Sequence, residues 1–366
     1  MTLNSDTETA SEAYPEGMQN SLVGVPGIEG ELAAENETVR NAFLKWGRQS
    51  SAYFVFQEGV KRFDGSQGGQ VHYAVQKTPL GSVNLVFTNP LCHPGGMPHL
   101  LMEFEQAATV PNVYVAVNDE VANCLQSRAY NINRIGTESR ITLGDFNVRG
   151  KKKKQLRHAS HFGERVGAQV QELMWDEVDA DQVKTLSLQW RASKGVKRRE
   201  LKYATRPPVY GDEWGVRKFY CKHNGRVIAF VFFDPYFEQG QLKGYCANIL
   251  RSSPSKEFNG ALDYTILEAI NVFRREGVSE LSLGIAPLQN IQPNQNERRS
   301  IRLISRLFYD YGNRLYSFRG LAYHKSRYRP IETPWYLCSR QISLFRLYWA
   351  LLFGLKVLGP PDSRSR

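Results

Sequence analysis

The chain has 366 residues, of which 42% are apolar and 12% aromatic, a composition typical of a globular protein with a sizeable core. Its net charge of +11 is unevenly distributed, because residues 1–39 contain eight acidic side chains and neither Lys nor Arg. The remaining residues carry 47 cations against 28 acids, a net charge of +19, and so basic a body favours polyanionic partners such as RNA or anionic lipid.

Several common enzyme classes are excluded by the residues that they require. The five cysteines are scattered, odd in number and without a CxxC spacing, so we predict neither a zinc site nor a disulfide framework, and a reducing cytosol fits. The seven histidines show no metal-ligand spacing, and the sequence contains no HExxH, Walker, GxGxxG or Ser-His-Asp arrangement. We therefore expect no metal and no nucleotide hydrolysis. The acidic, polar first residues predict no signal peptide.

Strands alternate with helices after a polar start. Residues 1–36 are rich in Glu, Ser, Thr and Gly, and they predict a disordered acidic tail. We predict strands at 52–56, 71–75, 82–87, 112–117 and 139–143, with helices at 38–46, 97–107 and 119–128. This alternation indicates an α/β domain over 37–147.

The strongest charge run comes next, near the start of a basic linker helix that we predict at 148–168. Its cations are Lys151, Lys152, Lys153, Lys154 and Arg157. They suit phosphate contacts with RNA or lipid, or else a solvated helix face. Lysines at a helix N-terminus oppose the helix dipole and cost stability, which slightly favours a functional reason for the run.

A second basic stretch, 191–206, follows a predicted helix at 182–191. It includes Arg198 and Arg199, and the aromatic side chains of Trp190 and Tyr203 lie among its cations. Cations mixed with aromatics are typical of binding to single-stranded RNA or a tRNA end, but a mobile surface loop has the same composition. Two strands at 215–222 and 227–233 come next, and the apolar run of the second predicts burial on both faces.

Residues 244–288 read as strand, polar loop, helix and strand. Arg251 begins a basic, hydroxyl-rich loop, Asn259 is a good N-cap for a helix that starts near Gly260, and Gly277 is a natural stop. A final strand is predicted at 279–285. A basic loop that leads into a helix N-terminus can bind an anion, although an ordinary αβ unit with a solvated loop has the same pattern.

Two amphipathic segments are predicted near the C-terminus. The first is a basic helix at 298–309 with apolar positions 301, 303, 304, 307 and 308 on one side. The second, 342–358, belongs to an amphipathic C-terminal segment, 341–366. It is short for a membrane span and is interrupted by Arg346 and Lys356. It fits either a membrane surface or the core of the protein itself.

Several of these pieces resemble the C-terminal domain of phosphatidylglycerol lysyltransferases. The matching residues are ILR at 249–251, NGALD at 259–263 and above all SLGIAPL at 282–288. A second block starts with LYSFRGL at 315–321 and continues through Lys325, Arg327 and Pro330 to 336–337. The resemblance extends from about residue 52 to 337, and its two blocks together are fairly specific.

The resemblance implies a fold, an activity and partners. The fold would be α/β with two tandem GNAT-like halves, each a mixed central sheet flanked by helices, and the catalytic half would span 169–340. The activity would transfer an aminoacyl group from aminoacyl-tRNA, a co-substrate, to a phosphatidylglycerol-like phospholipid or another membrane-surface acceptor, without a cofactor. We expect a stand-alone chain without the flippase half of many members, cytoplasmic and able to associate with the inner face of the membrane.

The resemblance also indicates site residues. Arg251, Lys325 and Asp263 are the candidate catalytic groups, although an acid in the first turn of a helix more often complements the helix dipole, which is the favoured role for Asp263. Arg251 and Lys325 are expected to converge on one pocket without a carboxylate partner. The candidate substrate-binding residues are Asn248, Asn259, Gly260, Ser282, Gly284, Arg319 and Arg327. Lys151–Lys154, Arg157, Arg198 and Arg199 are the expected contacts to tRNA or phosphate.

Two departures keep alternatives open. Lysyltransferases usually show an acid where this chain has Asn248, and a neutral amide suits small or neutral aminoacyl groups better than a lysyl group. The glycine-rich pyrophosphate loop of CoA-dependent GNAT enzymes is also missing, which counts against acyl-CoA as the donor. The alternatives are an acyl-CoA-dependent N-acyltransferase and a non-catalytic RNA- or membrane-binding protein on a transferase fold.

Overall fold

In the computed structural model of the chain, the described residues are 29–359 except 195–198, 204, 256–257 and 313–316, with side chains from residue 37 onward. Residues 1–28 of the predicted acidic tail, and Arg198, lie outside the described residues. The first helix, α1, spans Glu29–Trp46 and so begins before the predicted end of the tail at 36, which stays a prediction.

One mixed sheet contains eleven strands. They are β1 (Lys61–Asp64), β2 (Gln70–Gln76), β3 (Val83–Phe87), β4 (Asn112–Val117), β5 (Asn131–Thr142), β6 (Gln169–Glu172), β7 (Arg217–His223), β8 (Arg226–Glu238), β9 (Gln241–Ser252), β10 (Glu280–Pro287) and β11 (Ile331–Ser339).

Helices flank this sheet. In the described part of the chain, α1 is followed by α2 (Met97–Ala107), α3 (Asp119–Gln126), α4 (Lys154–Arg165), α5 (Ala180–Ala192), α6 (Ala261–Arg275), α7 (Arg299–Tyr311), α8 (Phe318–Ser326) and α9 (Leu344–Gly354). Short 3₁₀ turns occur at Ala52–Phe56, Pro94–Gly96, Lys151–Lys153 and Trp175–Glu177.

The strand order is β1-β2-β3-β4-β11-β5-β10-β9-β8-β7-β6. The pairs β3–β4 and β9–β10 are parallel, and the other neighbouring pairs are antiparallel. A parallel pair needs a crossover connection, which α2 supplies for the first pair and α6 for the second. The strand β11, near the end of the chain, lies between β4 and β5, so both predicted halves contribute to one continuous sheet.

Both faces of the sheet are covered by apolar side chains. Val231 and Phe233 of β8 pack against Phe273 of α6, whereas Phe230 and Phe232 belong to the opposite face, which α5 covers. The predicted burial of this strand on both faces is therefore confirmed. The helix α6 and the strand β10 also occupy the predicted stretches to within two residues.

Two local predictions are wrong. Residues 52–56 form a 3₁₀ turn, because Ala52 to Val55 are all buried and lack the alternation of a strand exposed on one face. Asn259 does not cap α6. The N-cap is Gly260, with a φ of 130°, and a Cβ there would lie 3.0 Å from the Cβ of Ala159 in α4. Close packing of α4 on α6, rather than a side-chain cap, fixes the start of this helix.

The C-terminal helix α9 is docked on the core through Leu347, Ala350 and Gly354, while Phe345 remains 53% exposed. The inner side of α9 therefore packs on the core of the protein, which is one of the two alternatives that the sequence analysis gives for this segment. No helix in the described part of the chain is long and apolar enough to span a membrane.

Candidate active site

The candidate site begins where β9 and β10 separate. Residues 244–246 of β9 pair in parallel with residues 280–282 of β10, and the two strands diverge beyond that point. β10 is irregular between Ser282 and Ile285, and Gly284 has a φ of 73°, which favours glycine. In β9, Ile249 pairs with Phe232 and Ala247 with Phe233, so Asn248 is the extra residue of a bulge. Bulges frequently reorient side chains next to functional sites.

The side chain of Lys325 fills the gap between these strands. It extends from α8, and its Nζ donates a 2.5 Å hydrogen bond to the carbonyl of Ile285. A Cβ at Gly284 would lie 3.6 Å from this Nζ and 3.7 Å from Sγ of Cys246, so the amine lies between β10 and β9. Burial lowers the pKa of Lys325 to about 7, although Cys246 and Glu138 act in the opposite direction. A large fraction of this side chain is therefore a neutral amine at neutral pH.

A buried carboxylate lies close to the amine. Ser282 donates to Oε1 of Glu138 at 2.7 Å and accepts from the amide of Gly284 at 3.0 Å. Glu138 also contacts Nε1 of Trp335 at 3.2 Å and Arg140 at 3.0 Å. Burial raises the pKa of Cys246 to about 12, so this neighbour is a thiol and a poor nucleophile.

Asn248 lies beside an acid that the sequence analysis missed. Its Nδ2 donates to Oδ2 of Asp234 at 2.6 Å, and Asp234 is buried in β8. Asp234 also forms an ion pair with Arg206 at 2.7 Å, and Arg206 reaches Glu213 at 2.6 Å. An acid is therefore present beside position 248, but it comes from the neighbouring strand β8, and its charge is already neutralised by Arg206. Asp234 lies within an apolar run, where a single acid signals a buried partner.

Arg251 has a carboxylate partner, contrary to the prediction. Its Nη2 lies 2.6 Å from Oε2 of Glu200, and its guanidinium lies 3.9 Å above the ring of Trp190. Nη1 has no hydrogen-bond partner among the described residues. The amine of Lys325 instead lies by Cys246, five residues earlier in β9, or roughly 16 Å along a strand. The two cations occupy separate environments, so the expectation of one shared pocket is not met.

Asp263 joins α6 to α8. Its carboxylate contacts Arg327 at 2.7 Å, the Tyr328 hydroxyl at 2.8 Å and Nε2 of His324 at 3.1 Å. Burial alone would raise its pKa, but the contacts of His324, Arg327 and Tyr328 outweigh burial, and the pKa is lowered. Asp263 and Arg327 therefore hold the helix that carries Lys325. Arg319 is exposed and pairs with Asp310 at 2.9 Å, away from this cluster.

The predicted phosphate contacts differ in their surroundings. Lys151, Lys152 and Lys154 are exposed. Lys153 donates to the carbonyl of Asn147 at 2.6 Å, and Arg157 donates to those of Val148 and Gly150. Arg199 donates to the carbonyls of Val357 and Gly359, beyond the end of α9. Lys153, Arg157 and Arg199 thus stabilise local structure.

A polar cavity of about 380 Å³ lies where β5, β10 and β11 meet the β8–β9 hairpin. Its lining includes the carboxylates of Glu138, Glu238 and Glu280 and the cations Arg48, Arg140 and Lys243. Glu138 links this cavity to the surroundings of Lys325. These residues come from segments far apart in the sequence, and no local motif marks them. In the part of the chain that the structure describes, no group of His, Cys, Asp and Glu could hold a metal ion.

A family model described as phosphatidylglycerol lysyltransferase, C-terminal, matches residues 40–339. A phosphatidylglycerol lysyltransferase of Bacillus subtilis is 26% identical over 215 residues, which cover 58% of this chain and 24% of that protein. The chain thus spans about a quarter of that relative.

Solved structures show the same fold. A C-terminal domain from Agrobacterium fabrum superposes with a TM-score of 0.70 at 19% identity and covers 88% of this chain and 97% of that one. The structure of L-PGS from Bacillus licheniformis superposes with a TM-score of 0.69 at 18% identity and covers 87% and 96%. The α/β class, with one mixed sheet flanked by helices, is confirmed, whereas the GNAT-like character and the division into two tandem halves stay predictions. The chain belongs to the phosphatidylglycerol lysyltransferase C-terminal domain family.

Replacement of Asp263 by Ala will lower the free energy of unfolding by about 2–4 kcal/mol, because Arg327 and Tyr328 lose a buried partner. Urea denaturation measures this change. The lowered pKa of Asp263 stabilises the fold above its ordinary value of 3.8. The advantage of the wild type therefore fades as the pH falls below that value. Asp310→Ala, which breaks an exposed pair, is the matched control and will change stability little. Equal effects of the two variants would show that α8 is held by other contacts.

Replacement of Asn248 by Asp will destabilise the protein at neutral pH by about 1–3 kcal/mol, because two carboxylates will face each other where Nδ2 now lies 2.6 Å from Asp234. The penalty will shrink as the pH falls towards about 4, since one carboxyl group then takes up a proton. Asn248→Ala is the control, and its stability relative to the wild type should not improve at low pH. An Asn248→Asp variant that is as stable as the wild type at pH 7 would refute this account of the bulge.

Proposed function

We propose that this protein transfers an aminoacyl group from aminoacyl-tRNA to a hydroxyl group of a phosphatidylglycerol-like lipid. The observation that carries the proposal is the buried amine of Lys325 in the gap between β9 and β10, on a chain of this family. A buried amine with a pKa near 7 exchanges protons at physiological pH, which general acid–base catalysis of acyl transfer requires.

The reaction balances with one shuttled proton. Neutral Lys325 takes the proton of the acceptor hydroxyl as its oxygen attacks the ester carbonyl of the aminoacyl-tRNA. The tetrahedral intermediate collapses with cleavage of the bond to the 3′-terminal ribose oxygen. The Lys325 ammonium then returns the proton to that oxygen, so tRNA leaves with a free hydroxyl and the lipid keeps the new ester. As a cation, Lys325 would instead stabilise the oxyanion of the intermediate, and the pH dependence separates these two roles.

The polar cavity supports a lipid headgroup as acceptor. Carboxylates such as Glu238 and Glu280 can accept hydrogen bonds from glycerol hydroxyls. The cations Arg48 and Lys243 are already paired with Glu120 and Glu238, so the cavity offers hydrogen-bond acceptors for hydroxyl groups rather than free charge for a phosphate. Because Glu138 contacts both the cavity and the site of Lys325, a headgroup bound there would lie near the amine. On the donor side, Arg206 neutralises Asp234 beside Asn248, which favours a small or neutral aminoacyl group over a lysyl group.

The function itself is tested by incubation of the purified protein with phosphatidylglycerol and either a mixture of aminoacyl-tRNAs or acyl-CoA, followed by mass spectrometry of the lipids. We expect a new aminoacylated lipid that depends on the tRNA and disappears after ribonuclease treatment. A fatty acyl ester of the lipid formed from acyl-CoA would support the alternative donor, since phosphatidylglycerol offers hydroxyl groups and no amine. If neither donor gives a product, the remaining alternative is a non-catalytic binding protein.

Replacement of Lys325 by Met will reduce transfer about a hundredfold or more, because the proton shuttle is lost. In the wild type, kcat/KM will rise with pH through about 7 as the amine becomes neutral. A rate that instead falls across pH 7 would show that the cation is the active form.

Unfolding of the same variant separates catalysis from stability. The folded pKa, about 7, lies below the ordinary value of 10.5, so between these values the unfolded chain binds one more proton and the wild type gains stability as the pH rises. Lys325→Met lacks this gain. The stability of this variant relative to the wild type will therefore fall between pH 7 and pH 9.5, as urea denaturation at both values will measure.

Joint replacement of Lys151, Lys152 and Lys154 by Ala will weaken tRNA binding and reduce the salt slope of the affinity by about two to three, because each exposed lysine releases about one counterion. Fluorescence anisotropy over a salt series measures both quantities. The matched control replaces Lys61, Lys77 and Lys184, which are exposed on other elements. An equal loss of tRNA affinity in the control would show that only the net charge matters. An unchanged salt slope would show that the lysines at the start of α4 do not contact tRNA.

A further inference from the structure

The helix α7 turns an apolar stripe outward. Ile301 and Ser305 form its buried side, while Leu303, Leu307 and Tyr311 are 55%, 57% and 79% exposed. Residues four apart lie above one another on a helix, so these three side chains form one continuous stripe. The sequence analysis placed positions 303 and 307 on the same side as 301, and the structure corrects this. Large apolar side chains that no core uses indicate an interaction surface.

Positive charge borders this stripe. At 3.6 residues per turn, Arg299 and Arg306 lie within about 60° of Leu303, and both are exposed. The acid on the same side, Asp310, is paired with Arg319. The outward side of α7 is therefore apolar with a positive edge, which is complementary to an anionic and partly apolar partner.

The neighbouring helix α9 packs against the inner side of α7 and carries aromatic side chains of its own. Tyr348 of α9 donates to the carbonyl of Ile301 in α7 at 3.2 Å, and its ring lies 6.2 Å from that of Phe308. Away from the core, α9 carries a ladder of three aromatic rings, in which Trp349 lies 5.5 Å from Phe345 and 4.4 Å from Phe353. Aromatic side chains of this kind are enriched at the level of lipid headgroups.

We propose that the outer side of α7, with the aromatic ladder of α9 beside it, docks the protein on the surface of an anionic phospholipid bilayer. The proposal rests on the proposed function, whose acceptor is a lipid. An interfacial helix buries its apolar side chains at the headgroup boundary and keeps its arginines near the phosphates.

Other occupants fit this face less well. RNA would use the arginines but has no place for two exposed leucines, since nucleic acids are bound through cations and stacking aromatics. A second copy of this chain in a symmetric dimer would bring Arg299 and Arg306 of both copies to one interface and concentrate positive charge there. An anionic bilayer satisfies the apolar and the basic residues together.

The test is sedimentation with vesicles of phosphatidylcholine alone or mixed with phosphatidylglycerol. The double variant Leu303→Gln/Leu307→Gln will bind the mixed vesicles at least about tenfold more weakly than the wild type. Arg299→Gln/Arg306→Gln will weaken binding to the mixed vesicles alone and flatten its salt dependence. The matched control is Leu188→Gln on α5, where Leu188 is 54% exposed, and it will bind as the wild type does. Circular dichroism and the thermal midpoint confirm that each variant is folded, and Tyr311→Ser provides an independent probe if the double variant is not.

Unchanged vesicle binding in the folded Leu303→Gln/Leu307→Gln variant overturns the proposal, as does a loss of tRNA affinity with vesicle binding intact. Transfer to short-chain lipid dispersed in detergent separates docking from catalysis. The double variant should keep this activity, because its site is untouched, while it loses transfer to vesicles. If the wild type binds vesicles through this face but transfers to neither acceptor, the proposed function fails and the docking surface stands.

Discussion

The separation of β9 from β10 is the constraint on which the candidate site depends. Two parallel strands that stay paired leave no room between them, and here the pairing lasts only three residues on each strand. Beyond it, backbone carbonyls lose their strand partners, and a buried carbonyl without a partner is costly. Lys325 meets this requirement at Ile285. The glycine at 284 is needed for its φ of 73°, which places the turn of β10 beside the amine.

Buried charges around this gap are arranged in pairs that the sequence does not reveal. Asn248 is bound to an acid 14 residues earlier, and Arg251 to an acid 51 residues earlier. Asp234 and Glu200 are ordinary acids in the sequence, so local spacing gave no reason to select them. The resemblance did identify Arg251 and Asn248, but it carried no information on which charges are already neutralised. That question decides whether an arginine is free to bind substrate, and only the packed structure answers it.

Periodicity and apolar runs predicted most elements, because burial leaves a strong pattern in the sequence. The helices α2, α5 and α6 and the strands β4 and β10 lie where the pattern placed them, and β8 starts there but continues to Glu238. The pattern was misleading at two places. Residues 52–56 are apolar throughout and form a 3₁₀ turn, and α7 carries leucines on its outer side. The position of β11 between β4 and β5 is also outside the reach of periodicity, because it depends on pairing over some two hundred residues.

The contacts of α8 explain why the folded protein tolerates the buried amine of Lys325. A desolvated ammonium destabilises the folded state, and the lowered pKa of Lys325 is a direct expression of that cost. The same helix and the turn after it carry His324, Arg327 and Tyr328, which together surround the carboxylate of Asp263 on α6. The carboxylate and its three partners hold α8 against α6 at the opening of β9 and β10. The anchor therefore offsets the burial of the amine, and Asp263, a candidate catalytic group in the sequence analysis, is better explained as the support of the helix that carries Lys325.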